Sequence, residues 1–293
     1  MADFIQQIVV GLGSGAIYAS LALALVLIYQ FTGIVNFAQG ELAMFSAYIA
    51  WTFLDAGLPF WVALPVTLVI SFVGGMLIER IVIRPVEGAP ELTIVIVTVG
   101  LFIFVNAAAG WIWSFLIKDF PNPFPDGALR AGGVSVGYST LGVLAVVGVV
   151  MGLLYLLFRH TKIGLGMRAV ATNPESARLV GIRVGWTLAL GWGLAATVGA
   201  VSGVLVAPLL FLEPNMMGGV LIYAFAAATL GGMDSPLGAV IGGLVVGVAE
   251  TLAGAYVDAI GSDLKVGVPL VIILAVLLLR PQGLFGKAAV ERA

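Results

Sequence analysis

The chain reads as an all-α polytopic integral membrane protein: a single transmembrane domain over residues 1–293, a bundle of about 8–10 membrane-spanning helices, some short or broken, with a weak two-half repeat. Composition is the first reason. The 293 residues are 61% hydrophobic and only 10% charged, whereas a soluble domain carries about a quarter charged residues. Mean hydropathy is +1.15. Spacing is the second reason. Apolar residues come in blocks of spanning length, separated by short charged or Gly/Pro-rich breaks. A hydrocarbon core about 30 Å thick needs roughly 20 apolar residues per helix. Lipid offers the backbone no hydrogen-bond partner, so each span must be helical.

In chain order, the expected spans are residues 4–29, 41–54, 60–78, 92–115, 138–158, 186–211, 218–230, 237–256 and 266–279. The first lacks a basic n-region and a cleavage pattern, and is expected to be retained rather than removed as a signal peptide. Between the first two spans, Gly33 to Glu41 interrupts apolar sequence with amides and an acid. Gly33 and Gly40 there permit unwinding or close packing, and Asn36 or Gln39 can cap the helix that follows. The outer loop, about residues 116–137, contains Pro121, Pro123 and Pro125, which exclude a regular helix. Asn106 lies within the fourth span and serves as interhelical glue or a pathway contact.

A charged, helix-breaking island follows the fifth span, about residues 159–185, with Arg159, Lys162, Arg168, Arg178 and Arg183, and its second half, Glu175 to Gly181, has the spacing of a short docking helix. Basic loops mark the cytoplasmic side. Arg80 and Arg84, the island, and Arg280, Lys287 and Arg292 alternate correctly to share that side. The other face carries Lys118, Arg130 and Lys265 against Asp55, Asp119, Asp126, Glu213, Asp258 and Asp263. The span count then places the N-terminus outside. Past the seventh span, Gly231, Gly232, Asp234, Ser235 and Pro236 form a structural loop, with Asp234 or Ser235 as N-cap and Pro236 in the first turn. Glu250 falls within the eighth span, where an ionisable residue is a functional candidate by default or is protonated and hydrogen-bonded within the bundle in a structural role.

Glycines four apart, Gly11/Gly15, Gly148/Gly152, Gly199/Gly203, Gly238/Gly242 and Gly243/Gly247, predict flat faces and close helix approach. Ile17-Tyr18-Ala19 and Ile222-Tyr223-Ala224 each precede a broken stretch, the faint sign of two related halves. Cysteine is absent, and the single histidine, His160, cannot make a His-based metal site alone. No metal or other cofactor is expected. Gly283 to Ala288 has the wrong spacing for a phosphate-binding loop, and no HExxH or nucleophile elbow occurs. The basic residues are spread as topology requires, so nucleic acid is not an expected partner.

Several stretches resemble one family, the permeases of branched-chain amino-acid ABC importers. Gly33-Ile34-Val35-Asn36-Phe37-Ala38-Gln39-Gly40-Glu41 is similar to their first-half signature. Thr161 to Gly181 resembles their ATPase-facing loop, through Gly164, Arg168, Ala169, Asn173, Pro174, Ala177 and Gly181. Thr229 to Gly238, Gly242 to Glu250, and Arg280 to Gly286 resemble their second-half signature and ending. The resemblance spans nearly the whole chain and is nearest the smaller of two permeases.

It implies a heterodimeric permease in the bacterial inner membrane, two cytoplasmic ATPases, a periplasmic binding protein and an amino-acid substrate. The implied ATPase-coupling residues are Arg168, Asn173, Pro174, Glu175, Ala177 and Gly181. Ser176 stands where alanine is more typical. Candidate pathway residues are Asn36, Gln39, Gly40, Glu41, Asn106 and Glu250. Other readings weighed are an importer of urea or short-chain amides, an ion-coupled secondary transporter, and a membrane scaffold. Paired intramembrane charges would mark a secondary transporter, and no basic partner for Glu250 lies within a span.

Overall fold

The computed structural model describes residues 2–258, 260–261 and 264–286. The basic residues Lys287 and Arg292 and the outer-face Asp263 lie outside the described residues. Every expected span is helical. The helices are α1 (Ala2–Thr32), α2 (Gln39–Asp55), α3 (Phe60–Ile78), α4 (Glu91–Trp113), α5 (Tyr138–His160), α6 (Lys162–Thr172), α7 (Pro174–Leu179), α8 (Val184–Leu210), α9 (Met217–Gly231), α10 (Pro236–Tyr256) and α11 (Gly267–Leu279). Six of these, α1, α3 with its extension to Val86, α4, α5, α8 and α10, are long and apolar enough to cross a membrane. At about 1.5 Å per residue, α9 (15 residues) and α11 (13 residues) fall short of the hydrocarbon core.

Several helices are apolar all round, as expected of elements whose outer face meets lipid. On α4, Leu92, Ile96, Ile103, Phe104 and Trp111 are all exposed. A soluble chain could not carry so continuous an apolar surface. In contrast, α8 is mostly buried.

The chain divides into two compact units. One is drawn from Met1–Val26, Asn122–Val147 and Gly219–Ala293, the other from Leu27–Pro121 and Gly148–Gly218. In the first, Gly11 and Gly15 of α1 face Gly243 and Gly247 of α10. A Cβ on Gly11 would lie 2.6 Å from the Val248 Cα, and one on Gly247 would strike the Gly15 backbone. The loop before α10 behaves as its sequence predicts. The Ser235 hydroxyl accepts from the Gly238 amide at 3.1 Å, and Pro236 opens the helix. The C-terminal stretch docks on that loop, with the Leu284 amide donating to the Leu230 carbonyl (2.8 Å) and the Phe285 amide to Gly231 (3.0 Å).

The outer loop from Asn122 onward belongs to this unit, and it contains an element the sequence reading missed. Strands β1 (Ala128–Ala131) and β2 (Val134–Gly137) form an antiparallel hairpin. Gly132 (φ +59°) and Gly133 (φ +79°) make its two-residue turn, the left-handed pair such a turn needs. The Gln6 side chain of α1 grips the hairpin from both sides of one amide. It donates to the Ser135 carbonyl at 2.9 Å and accepts from the Ser135 amide at 2.7 Å.

In the second unit, α2 and α3 pack on α8. Gly203 abuts the Ala43 backbone, Gly199 leaves room for the Gln39 amide, and a Cβ on Gly75 would lie 2.6 Å from the Trp192 carbonyl oxygen. The charged island holds two short helices with a break before each: α6, capped by Thr161, and α7, capped by Asn173, the short helix expected of its second half. A capping side chain starts each helix, and Pro174 adds a proline at N1 of α7. α3 continues into a π-helical turn (Glu79–Ile83) and a 3₁₀ turn (Arg84–Val86). Arg80 lies over the Trp186 ring at 6.0 Å, and Arg84 packs against Gly185. Within this unit, the two basic segments therefore occupy one end, as their charge predicts.

These contacts separate packed from unpacked glycines. Gly247→Leu is expected to destabilise the protein by about 1–3 kcal/mol, because the side chain meets backbone that cannot yield. Gly148→Leu, where a Cβ meets nothing within 4 Å, is expected to change stability by less than about 0.5 kcal/mol. Unfolding by sodium dodecyl sulfate in mixed micelles measures both. Equal losses would refute the packing argument.

Candidate functional site

The interrupted stretch after α1 is built around Asn36. Gly33 adopts φ +68°, and the chain turns there with open space where a side chain would lie. The Asn36 Oδ1 accepts from the Ala38 amide at 3.0 Å, and its Nδ2 donates to Gln39 Oε1 at 3.2 Å. The Gln39 Nε2 then donates to the Ala195 carbonyl of α8 at 3.1 Å. Asn36 and Gln39 are fully buried. Asn36 thus stabilises the turn before α2, and Gln39 ties α2 to α8 instead of capping its own helix. Gly40 does not unwind the backbone: it lies within the first turn of α2, at the wall of a fully buried helix face.

Glu41 is 1% exposed, deep in the same unit. Asn106 of α4 donates to its Oε2 at 3.2 Å, and also reaches the Pro214 carbonyl at 2.9 Å and Asn215 Oδ1 at 3.3 Å. One amide therefore ties together α2, α4 and the connection after α8. Asn36, Gln39, Glu41 and Asn106 form a polar seam within the second unit.

Glu250 belongs to a separate cluster, within the first unit. The Tyr18 hydroxyl of α1 donates to its Oε2 at 2.8 Å. Tyr18 stacks on Tyr223 of α9, ring centroids 4.5 Å apart and 9° from parallel. The two tyrosines are the centres of the faint Ile-Tyr-Ala repeat, which the fold brings into contact. Tyr18 had no signal as a carboxyl partner, because nothing in the sequence pairs positions 18 and 250.

The charged island offers a platform. Ala177 is buried with Phe31 of α1, Met167, Val170, Val184 and Leu188. Arg168, Glu175 and Arg178 are exposed on its other side, and Leu179 (88%) and Val180 (76%) are more exposed still. Asn173 caps α7 by accepting from the Ser176 amide at 2.9 Å, and Gly181 leaves the helix at φ +86°. In the loop before α10, Gly231 packs on the Gly238 backbone and Gly232 turns at φ +105°, against Gly286. Together with the Ser235 cap, these make it a structural joint.

Sequence reasoning missed a further cluster. Beside Asn36, a cavity of about 190 Å³ is lined by Glu79, Arg84 and Trp192, among others. Glu79 and Trp192 are each 2% exposed. The Arg84 Nε lies 3.5 Å from Glu79 Oε1, whereas Glu79 Oε2 and Trp192 Nε1 have no hydrogen-bond partner among the described residues. Leaving such a buried group unmatched costs about 1–3 kcal/mol. An acid closing an apolar span was the available signal. The adjacent Arg80 and Arg84 mask that signal, because they mark the segment as a basic loop.

Compared with known proteins, the chain matches, over residues 7–277, the family profile described as the branched-chain amino acid transport system permease component. It is 31% identical over 303 residues to the high-affinity branched-chain amino acid transport system permease protein BraD of Pseudomonas aeruginosa, covering 99% of this chain and 98% of that one. It is 30% identical over 305 residues to the permease proteins LivH of Salmonella typhimurium and Escherichia coli, covering 99% of this chain and 97% of each.

The Glu250 cluster predicts different outcomes for two substitutions. Glu250→Gln keeps an acceptor for Tyr18 and is expected to cost little stability. Glu250→Leu strands the hydroxyl and is expected to cost about 1–2 kcal/mol. Asn106→Leu removes the donor to Glu41 and is expected to cost a similar amount. Unfolding in mixed micelles measures all three, and a Glu250→Leu protein as stable as wild type would refute the role of the carboxyl.

Proposed function

The chain belongs to the branched-chain amino acid transport permease family, and on that premise we propose that it moves aliphatic amino acids inward across the bacterial inner membrane, driven by separate ATPase subunits. It is a multi-pass membrane permease component and not an enzyme. Family membership decides against the urea or short-amide importer, the ion-coupled secondary transporter and the scaffold. The full-length family match is the observation that carries the reading.

In the proposed assembly, this chain pairs with a second, related permease. Two cytoplasmic ATPases supply energy, and a periplasmic binding protein delivers substrate. α7 is the docking element. Its exposed side, with Glu175, Arg178, Leu179 and Val180, suits a groove on a partner, while Ala177 anchors it inward. Displacement of α7 by the ATPases would act first on the Ala177 cluster, which includes Phe31 at the end of α1 and Val184 and Leu188 at the start of α8. α8 is in turn tied to α2 by the Gln39 to Ala195 bond. Motion at the docking face thereby reaches the seam that holds Glu41. Packed interiors pass on such a displacement because they deform little.

The test is ATP-dependent leucine uptake into proteoliposomes holding this chain with the ATPases, second permease and binding protein encoded by neighbouring reading frames. Uptake that needs every component is the expected result, and uptake that persists without ATPases would overturn the reading. Glu175→Lys and Leu179→Asp alter exposed positions and are expected to keep stability within about 0.5 kcal/mol of wild type. Both are expected to reduce ATPase co-purification and uptake severalfold. Gly181→Arg should do the same, with added strain from its left-handed backbone. Normal co-purification and uptake in these variants would refute docking at α7.

A further inference from the structure

The cavity beside Asn36 carries two unmatched polar atoms of opposite kind. Glu79 Oε2 is an acceptor, and Trp192 Nε1 can only donate. Both side chains are almost wholly buried, and both line the same cavity. Glu79 opens a π-helical turn, an irregularity frequent at functional positions. Arg84 lines the cavity too, and it approaches closely because Gly185 has no side chain to oppose its guanidinium. The remaining wall has an aliphatic part, with Ile28, Ile94 and Leu188, and a polar part, with Thr98 and a second carboxylate, Glu87. Pro174, the first residue of the docking helix, closes one side.

We propose that this cavity is a binding site for a free zwitterionic aliphatic amino acid, with Glu79 receiving the ammonium, Trp192 and Arg84 receiving the carboxylate, and the aliphatic wall receiving the side chain. A simple cation would satisfy Glu79 and leave the indole N–H unmatched. A simple anion would do the reverse and face a carboxylate. A zwitterion brings both complements in one small molecule, and an apolar side chain suits the aliphatic part of the lining. The proposal rests on the amino-acid import reading and adds a place where the substrate is held at the docking-helix end. Since Pro174 is part of the wall, occupancy of the site and the position of α7 affect one another reciprocally.

The test is equilibrium binding of radiolabelled leucine to the assembled importer in lipid nanodiscs, without binding protein or ATP. Competitors are isocaproate, which lacks the ammonium, and isoamylamine, which lacks the carboxylate. Saturable leucine binding is expected, with each competitor weaker than leucine by roughly tenfold or more. In Glu79→Gln, leucine affinity is expected to fall by a similar factor, and the preference for leucine over isocaproate to shrink toward unity. In Trp192→Phe, leucine and isocaproate are expected to weaken while isoamylamine is unchanged. The competition in wild type requires no variant to fold. Absence of saturable binding, as for a cavity holding water alone, would overturn the site. So would variants that bind leucine with unchanged affinity and preferences. ATP-driven import is read separately in vesicles. Import together with variant-insensitive binding overturns the site and leaves the import reading standing. Loss of import with leucine binding still sensitive to Glu79→Gln overturns the import reading and supports the site.

Discussion

Polar side chains buried among apolar helices must find partners on neighbouring helices, because lipid supplies none. The structure of each unit follows from that requirement. Gln39 reaches the Ala195 carbonyl, Asn106 reaches Glu41 and the Pro214 carbonyl, and Tyr18 reaches Glu250. Each bond joins elements far apart in sequence and so fixes one helix against another. Apolar packing alone would allow a helix to slide or rotate among similar arrangements, whereas a buried amide with one reachable carbonyl does not.

Glycine makes these bonds reachable. Gly199 leaves space for the Gln39 amide, and Gly203 brings the Ala43 backbone against α8. In the other unit, Gly11 and Gly15 meet Gly243 and Gly247 and bring α1 onto α10. Without a hydrophobic force between helices in lipid, close van der Waals contact and interhelical hydrogen bonds must hold them together. The two devices act at the same crossings. In the proposed importer, the polar seam of the second unit lies along the route from the docking helix to Glu41, so what holds α2 and α8 in register is also what the ATPases must move.

Much of the architecture was legible. Every expected span is a helix, because membrane insertion demands a long apolar block and little else. The Ser235 cap and Pro236 start were legible because capping is local. The hairpin at Ala128–Gly137 was missed although its Gly132-Gly133 turn is a strong local signal. The neighbouring prolines drew attention to what that loop could not form. In the island at residues 159–185 the short second-half helix was legible from its spacing, while α6 was not, although Thr161 and Asn173 are local caps that begin a helix at each interruption. Gly40 reads as a position for unwinding or close packing, and it is helical and buried, since glycine permits unwinding without requiring it.

The candidate site was only partly legible, and the division is physical. Glu41, Asn106 and Glu250 stand out in sequence because an ionisable or amide group within an apolar run is costly wherever it points. Their partners do not stand out. Tyr18 and Trp192 are ordinary constituents of membrane helices, and only their meeting with Glu250 or with the Glu79 cavity distinguishes them. The sequence by itself determined the class of protein, the helical spans, the capped joints and the family, because these depend on local composition and on residues in order along the chain. The tertiary structure decided which buried polar groups pair, which glycine pairs are packed, and which polar atoms converge on one cavity. Those outcomes depend on distances between residues far apart in sequence, which the helix crossings alone define.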